Sequence, residues 1–257
     1  MNRPENQAAT SGSRKQKLKP ATLLAPVPVV LVSCCGLPGG ERAKPNLITV
    51  AWTGTICSDP PMVAISIRPS RYSHQQIRET GEFVVNLVDH SLLRAADFCG
   101  VRSGKDMDKF AACNLNTEPI PGLLYAQAVA ESPLQLACKV RQTISLGSHD
   151  CFMGEVVAVQ AADNLMDQQG RLCLEKADLL AYLHGDYHRL GERVGFFGFS
   201  VASQKVLNRR LMPAKFEKKL DKPQEKNIRH TARKNVKEKA GRKRRSRGID
   251  RMNGQSD

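Results

Sequence analysis

Several signatures of large protein classes are missing from this chain. It contains no run of about 18 uncharged apolar residues, so no membrane-spanning helix is expected. The most apolar stretch, Ala21 to Gly36, is interrupted by Pro26 and Pro28 and starts too far into the chain for a secretory leader. Neither a P-loop nor a G-x-G-x-x-G turn is present, which excludes the usual phosphate cradles of nucleotide-binding α/β domains. The eight cysteines, at positions 34, 35, 57, 99, 113, 138, 151 and 173, form no C-x-x-C, and no His/Cys group has zinc spacing. The pair His184 and His188 around Tyr187 has tempting offsets, but no carboxylate framework accompanies it, so no metal is expected there. A domain of this size without a leader keeps its thiols reduced, and a cytoplasmic location is the expectation. Internal repeats, paired catalytic carboxylates and a Ser-His-Asp arrangement are missing as well.

Positive charge is abundant but unevenly placed. The 257 residues carry a formal net charge of +14. Residues 205–257 hold 19 Lys and Arg against 6 Asp and Glu, and residues 1–19 hold 5 against 1. The stretch between them is slightly acidic, at −3. Three regions follow: a polar lead over 1–17 that is expected to be disordered, a globular domain over 18–203, and a basic tail over 204–257. The tail is nearly free of large apolar residues and is expected to be largely disordered, because it cannot bury enough surface to offset its ordering entropy. Its Arg242–Arg247 cluster, without aromatics for base stacking, suits at most unspecific, salt-sensitive binding to polyanions.

The central region reads as short β-type runs rich in Val, Ile and Thr and bounded by Gly, Pro or Asp. Strands are expected over Val29–Ser33, Asn46–Trp52, Met62–Arg68, Phe83–Val88, Leu134–Leu146 and Phe152–Gln160. Two helices are expected. One opens on a capping box, Ser73-His74-Gln75-Gln76, and ends near Gly81; the other runs from Ser91 to Phe98 and stops at Gly100. Many strands, few helices and no βαβ alternation predict a mainly β fold built on an antiparallel, Greek-key-like barrel.

The most informative segment is NLITVAWTGTICSDPPMVAISIRPSRYSHQQIRET, residues 46–80. It reads as strand, polar turn, strand, loop and helix. The turn Thr53 to Ser58 offers hydroxyls, a thiol and a glycine, and Asp59-Pro60-Pro61 stops the run. Arg68, Arg71 and Ser73 gather at the mouth of the helix, where guanidinium groups and unpaired backbone N–H groups together suit a phosphate.

This segment resembles the flavin reductase family, whose members share an FMN-binding split β-barrel and include flavoredoxins and ferric reductases. LLAPVPVVLVSCCG, DFCGVRSGKDMDKF and LGSHDCFMGEV extend the likeness in the same order across roughly residues 18–200. The resemblance implies a homodimer binding FMN, with NAD(P)H as hydride donor and free flavin, a ferric complex or a partner protein as acceptor. A flavoredoxin-like carrier reduced by a partner protein is the alternative. It places Trp52, Thr53, Gly54, Thr55, Cys57 and Ser58 beside the flavin ring and ribityl chain. Arg68, Arg71 and Ser73 fall at the phosphate. Lys109 is either a further cofactor contact or an ordinary exposed lysine. Cys57 either packs as a small side chain against the flavin or tunes it. Gly147-Ser148-His149-Asp150 is similar to the family's Gly-Asp-His stretch, with the acid displaced to Asp150, and makes His149 the candidate for the nicotinamide site. Few catalytic side chains are needed, because hydride transfer belongs to the two cofactors.

Overall fold

The computed structural model describes residues 14–211. The chain divides into two compact units, residues 1–191 and 192–257. Among the described residues the first unit carries twelve strands: β1 (Val27–Pro28), β2 (Val30–Cys34), β3 (Asn46–Val50), β4 (Thr53–Ser58), β5 (Pro61–Ile67), β6 (Glu82–Leu87), β7 (Thr117–Glu118), β8 (Ala128–Val129), β9 (Leu134–Ser145), β10 (Asp150–Ala161), β11 (Leu180–Leu183) and β12 (Asp186–Arg189). Its α-helices are α1 (Tyr72–Thr80), α2 (Leu93–Val101) and α3 (Lys109–Cys113). Seven strands form one antiparallel sheet in the order β3-β2-β6-β9-β10-β5-β4, curled into a half-barrel. All six expected strands lie in it.

The VVLVSC run shows why the sheet curls over two cores. Every residue of β2 is buried. Successive strand side chains point to opposite faces, so a continuous apolar strand must be covered on both sides. Val30, Val32 and Cys34 enter the barrel interior with Ile65, Phe83 and Phe152, while Val29 and Leu31 face Leu92, Ala96, Cys99 and Phe110 under the helices. Gly154 allows the long β9–β10 hairpin to close over this interior, since a Cβ there would stand 2.6 Å from Phe83 Cζ.

Four local expectations need correction. Thr53 to Ser58 is not a turn but a strand at the sheet edge, paired with β5; the reversal falls later, at Asp59-Pro60. The capping box does not form: the N-cap is Arg71, two residues before Ser73, and Ser73 and Gln76 are buried inside α1. Their polar groups are drawn to Asn46 and to the carbonyls of Arg42 and Lys44, stronger claims than the helix end. The second helix begins with a 3-10 turn over His90–Leu92 and runs past Gly100 to Val101, because that glycine sits under Thr49 inside the helix and does not cap it. Finally, α3 and the β11–β12 hairpin carry too few residues for a periodic signal.

In the second unit, a 3-10 turn covers Phe199–Val201 and α4 covers Gln204–Leu211. The guanidinium of Arg210 lies 4.6 Å from the Phe196 ring centroid. The start of the expected disordered tail is therefore helical; residues 212–257 and 1–13 lie outside the described residues. Among the described residues no helix is long and apolar enough to cross a membrane.

Candidate flavin site

Two cavities meet at Ile48, Arg68 and Arg71, which line both. The first, of about 400 Å³, lies between β3 with its following turn, the end of β5, α2 and the β11–β12 hairpin. Its wall is apolar at Val29, Val50 and Ile67 and aromatic at Trp52, Tyr182 and Tyr187. The second, of about 490 Å³, is bounded by the loop into α1 and by the Arg102–Gly104 turn, with Lys109 and Cys99 also on its wall. It presents Arg68, Arg71, Arg102 and Lys109 and no carboxylate.

Lys109 has the most unusual setting of these. Asp108 caps α3 by accepting from the Ala111 N–H, which fixes the helix so that Lys109 turns inward beside Phe110. Lys109 is 3% exposed, and its ammonium donates to the carbonyls of Leu47 at 2.7 Å and Cys99 at 2.9 Å. Burial pushes its pKa below the ordinary lysine value. An ammonium has three donors, so one N–H and an uncompensated charge remain for the chamber. Holding a desolvated cation beside two neutral carbonyls is unfavourable unless an anion completes the shell.

Ser73 stands on the same wall. Its Oγ accepts from Asn46 Nδ2 at 2.7 Å, which leaves its own O–H to donate. The backbone N–H groups of Tyr72 and Ser73 precede the first bonded amide of α1, His74 N to Arg71 O, and add orphan donors at the helix mouth. Together these groups fit a phosphate dianion, and the first chamber beside them is large enough for a planar ring.

His149 and Trp52 form one end of the first chamber, with ring centroids 4.5 Å apart and planes inclined by 43°. Burial, with Arg68 second, lowers the His149 pKa below its ordinary value, so the imidazole is neutral near pH 7. The adjacent Asp150 points the other way, into the protein, where it accepts from Ser145 and pairs with His74.

The structure thus gathers Trp52, Arg68, Arg71, Ser73, Lys109 and His149 around two joined chambers. Thr53 and Gly54 line neither; they border a third cavity of about 400 Å³ with Trp52, Leu24 and Val27. Thr55, Cys57 and Ser58 line none of the three, because β4 carries them along the exposed sheet edge. Cys57 Sγ instead donates to the carbonyl of Asp59. Arg102, Tyr182 and Tyr187 escaped the sequence reading. The signal for the tyrosines was the Leu-His-Gly-Asp stretch, where His184 and Gly185 both take positive φ, as a two-residue hairpin turn requires.

Similarity to known proteins agrees with this geometry. A family model described as "Flavin reductase like domain" matches residues 23–191. Flavoredoxin of Desulfovibrio vulgaris (Miyazaki F) superposes with a TM-score of 0.67 at 28% identity, covering 74% of this chain and 100% of that one. An FMN reductase (NADH), RutF, of Pseudomonas syringae is 28% identical over 162 residues, 59% of this chain and 82% of that protein. An uncharacterized protein of Aeropyrum pernix is 33% identical over 135 residues, which span 52% of this chain and only 50% of that protein. With two joined chambers in a split barrel and a family match across nearly the whole first unit, the chain belongs to the flavin reductase-like family.

Proposed function

We propose that this protein binds FMN and acts as an oxidoreductase that accepts hydride from NADH or NADPH and passes electrons to a second acceptor. The observation that carries this reading is the buried Lys109 ammonium beneath a chamber lined by three arginines and no carboxylate, opening into a ring-sized aromatic chamber. In this reading Lys109, Arg68, Arg71, Arg102 and Ser73 hold the phosphate. Trp52, Tyr182 and Tyr187 flank the ring. Bound flavin supplies the electron-accepting ring system, chemistry no side chain provides. The task of the protein is then to orient the nicotinamide against the ring and to keep water out. In the same reading His149, at the Trp52 end of the first chamber, gives or takes one hydrogen bond to the nicotinamide as a neutral imidazole.

The third cavity and the exposed β4 edge, with Leu24, Trp52 and Ile56 uncovered, suit a second copy of the chain. A homodimer would bring Thr53 and Gly54 back toward the cofactor. Binding of polyanions through the basic tail and a cytoplasmic location complete the proposal.

The decisive experiment is titration of FMN by fluorescence quenching, followed by anaerobic mixing with NADH and NADPH. Saturable binding and bleaching of the yellow colour by either nicotinamide are expected. Protein that remains colourless with excess FMN overturns the reading. The match over the full length of a flavoredoxin favours one second reading, an electron carrier. Bleaching by dithionite but by neither nicotinamide would select it.

A further inference from the structure

Cys99 of α2 and Cys113 of α3 meet where the two helices touch, with their sulfurs 3.9 Å apart. Cys99 is buried, and both side chains belong to the core layer under the helices. Cys113 is half-buried and is the last residue of α3, where Asn114 ends the helix at a φ of 53°. The adjacent pair Cys34 and Cys35 is arranged differently. Cys34 Sγ turns to Gln76 Oε1 and Cys35 Sγ to the Ala43 carbonyl, so those neighbours have separate partners. Disulfide sulfurs stand about 2.05 Å apart, so Cys99 and Cys113 need to close by roughly 2 Å.

The same two helices hold Lys109. It opens α3, one helical turn before Cys113, and its ammonium donates to the Cys99 carbonyl at 2.9 Å. Cys99 also lines the second chamber. Joining the sulfurs therefore acts on the lysine twice, through its own helix and through its acceptor. A binding group works only within about 0.5 Å of its productive position, a tolerance smaller than this closure.

We propose that Cys99 and Cys113 are a redox modification site: a hydroperoxide joins them in an intrachain disulfide, and the bridge weakens the grip of Lys109 on an anion in the second chamber. The effect on the anion rests on the phosphate reading of that chamber; the bridge itself does not. With hydrogen peroxide, Cys113 reacts first, as the more accessible sulfur. Its thiolate attacks one peroxide oxygen and the O–O bond breaks. Hydroxide leaves, takes up the proton that Cys113 had released, and Cys113 becomes a sulfenic acid. The Cys99 sulfur then attacks the Cys113 sulfur, the S–O bond breaks, and water departs with the Cys99 proton. Two thiols are oxidised to one disulfide, and one peroxide is reduced to two waters. Burial pushes the Cys99 thiol up to about 12, which suits it to the second step and not to the first. Transient disulfides of this kind are the usual form in reducing compartments.

The test treats the full-length, reduced protein with a small molar excess of hydrogen peroxide, followed by alkylation, digestion and mass mapping. A Cys99–Cys113 bridged peptide should form and disappear again with dithiothreitol. Cys99→Ala should leave Cys113 as a sulfenic acid that dimedone captures. The bridged protein should bind FMN at least about threefold more weakly than the reduced protein. Cys113→Ser should form no bridge and should bind FMN equally before and after peroxide. Alkylation of both thiols throughout, over-oxidation of Cys113 without a bridge, or a bridge between other cysteines would each overturn the proposal. A mapped bridge with unchanged FMN affinity would overturn the effect on Lys109. Failure to bind FMN in either state would instead remove the flavin reading, while the mapped bridge would stand.

Discussion

His74 Nε2 lies 2.8 Å from Asp150 Oδ2, with both side chains almost fully enclosed. His74 belongs to the first turn of α1, next to Ser73, and Asp150 opens β10, next to His149. The pair therefore ties the wall of the second, arginine-lined chamber to the wall that presents His149. Phe152 packs edge-on against the imidazole at 5.1 Å and keeps water away from the bond.

Hydrogen bonds from Ser145 and His74 hold the Asp150 carboxyl below its ordinary value of 3.8. A carboxyl depressed by folding adds stability above its unfolded pKa, and that stability is lost as pH falls through the folded value. Denaturant unfolding from pH 7 down to pH 3 should therefore show a steeper acid loss in the native protein than in Asp150→Asn. At pH 7 the variant should melt lower by on the order of 5 °C. Parallel pH profiles for the two proteins would refute this role for the pair.

Lys109→Met removes one charge-assisted donor facing the chamber. Such a bond contributes about 1.5–3 kcal/mol, so FMN affinity should fall roughly 10- to 100-fold. Riboflavin, which lacks the phosphate, should bind the variant and the native protein almost equally. Equal losses for both ligands would place Lys109 at the ring and not at the phosphate.

His149→Gln keeps a hydrogen-bonding side chain but cannot titrate. The native imidazole, with its pKa below the ordinary 6.5, is neutral at pH 7 and gains its proton only in more acidic solution. The rate of flavin reduction by NAD(P)H should inflect below pH 6.5, and the inflection should vanish in the variant while FMN affinity stays the same. Stopped-flow reduction across pH 5 to 8 is the measurement.

Gly104 has no room for a side chain, since a Cβ would fall 2.1 Å from Asn46 Oδ1. Asn46 in turn donates to Ser73 Oγ and Gln76 Oε1. Gly104→Ala should therefore push Asn46 off Ser73, destabilising the fold by about 1–3 kcal/mol and loosening phosphate binding together with it. A thermal melt and an FMN titration on the same preparation test the coupling.

All eight thiols are free, but their settings differ. Burial pushes Cys34, Cys99 and Cys138 up to about 12, so they hold almost no thiolate at neutral pH. Cys57, Cys113 and Cys151 are half-buried. A disulfide reagent should label no more than these three rapidly in the native state, and all eight after denaturation.

The continuous apolar run of Val30 to Cys34, the β-branched runs and the Arg68–Ser73 stretch are local properties, and with them the sequence by itself determined a barrel of short strands and a helix mouth flanked by arginines. The likeness to a flavin reductase rested on such contiguous segments and was legible for the same reason. What was not legible depended on residues far apart in the chain. Lys109 became a buried cation only because folding brings Leu47 over it, 62 positions away, and Asp150 was turned from His149 by His74, 76 positions away. Thr53 to Ser58 looked like a turn because Gly54 and the hydroxyls favour one, yet pairing with β5 offers backbone hydrogen bonds that outweigh local preference. Tertiary structure alone decided which cations share a chamber, which aromatics close it and which polar groups stay unpaired, since burial and partnership are set by packing between elements and not by neighbours along the chain.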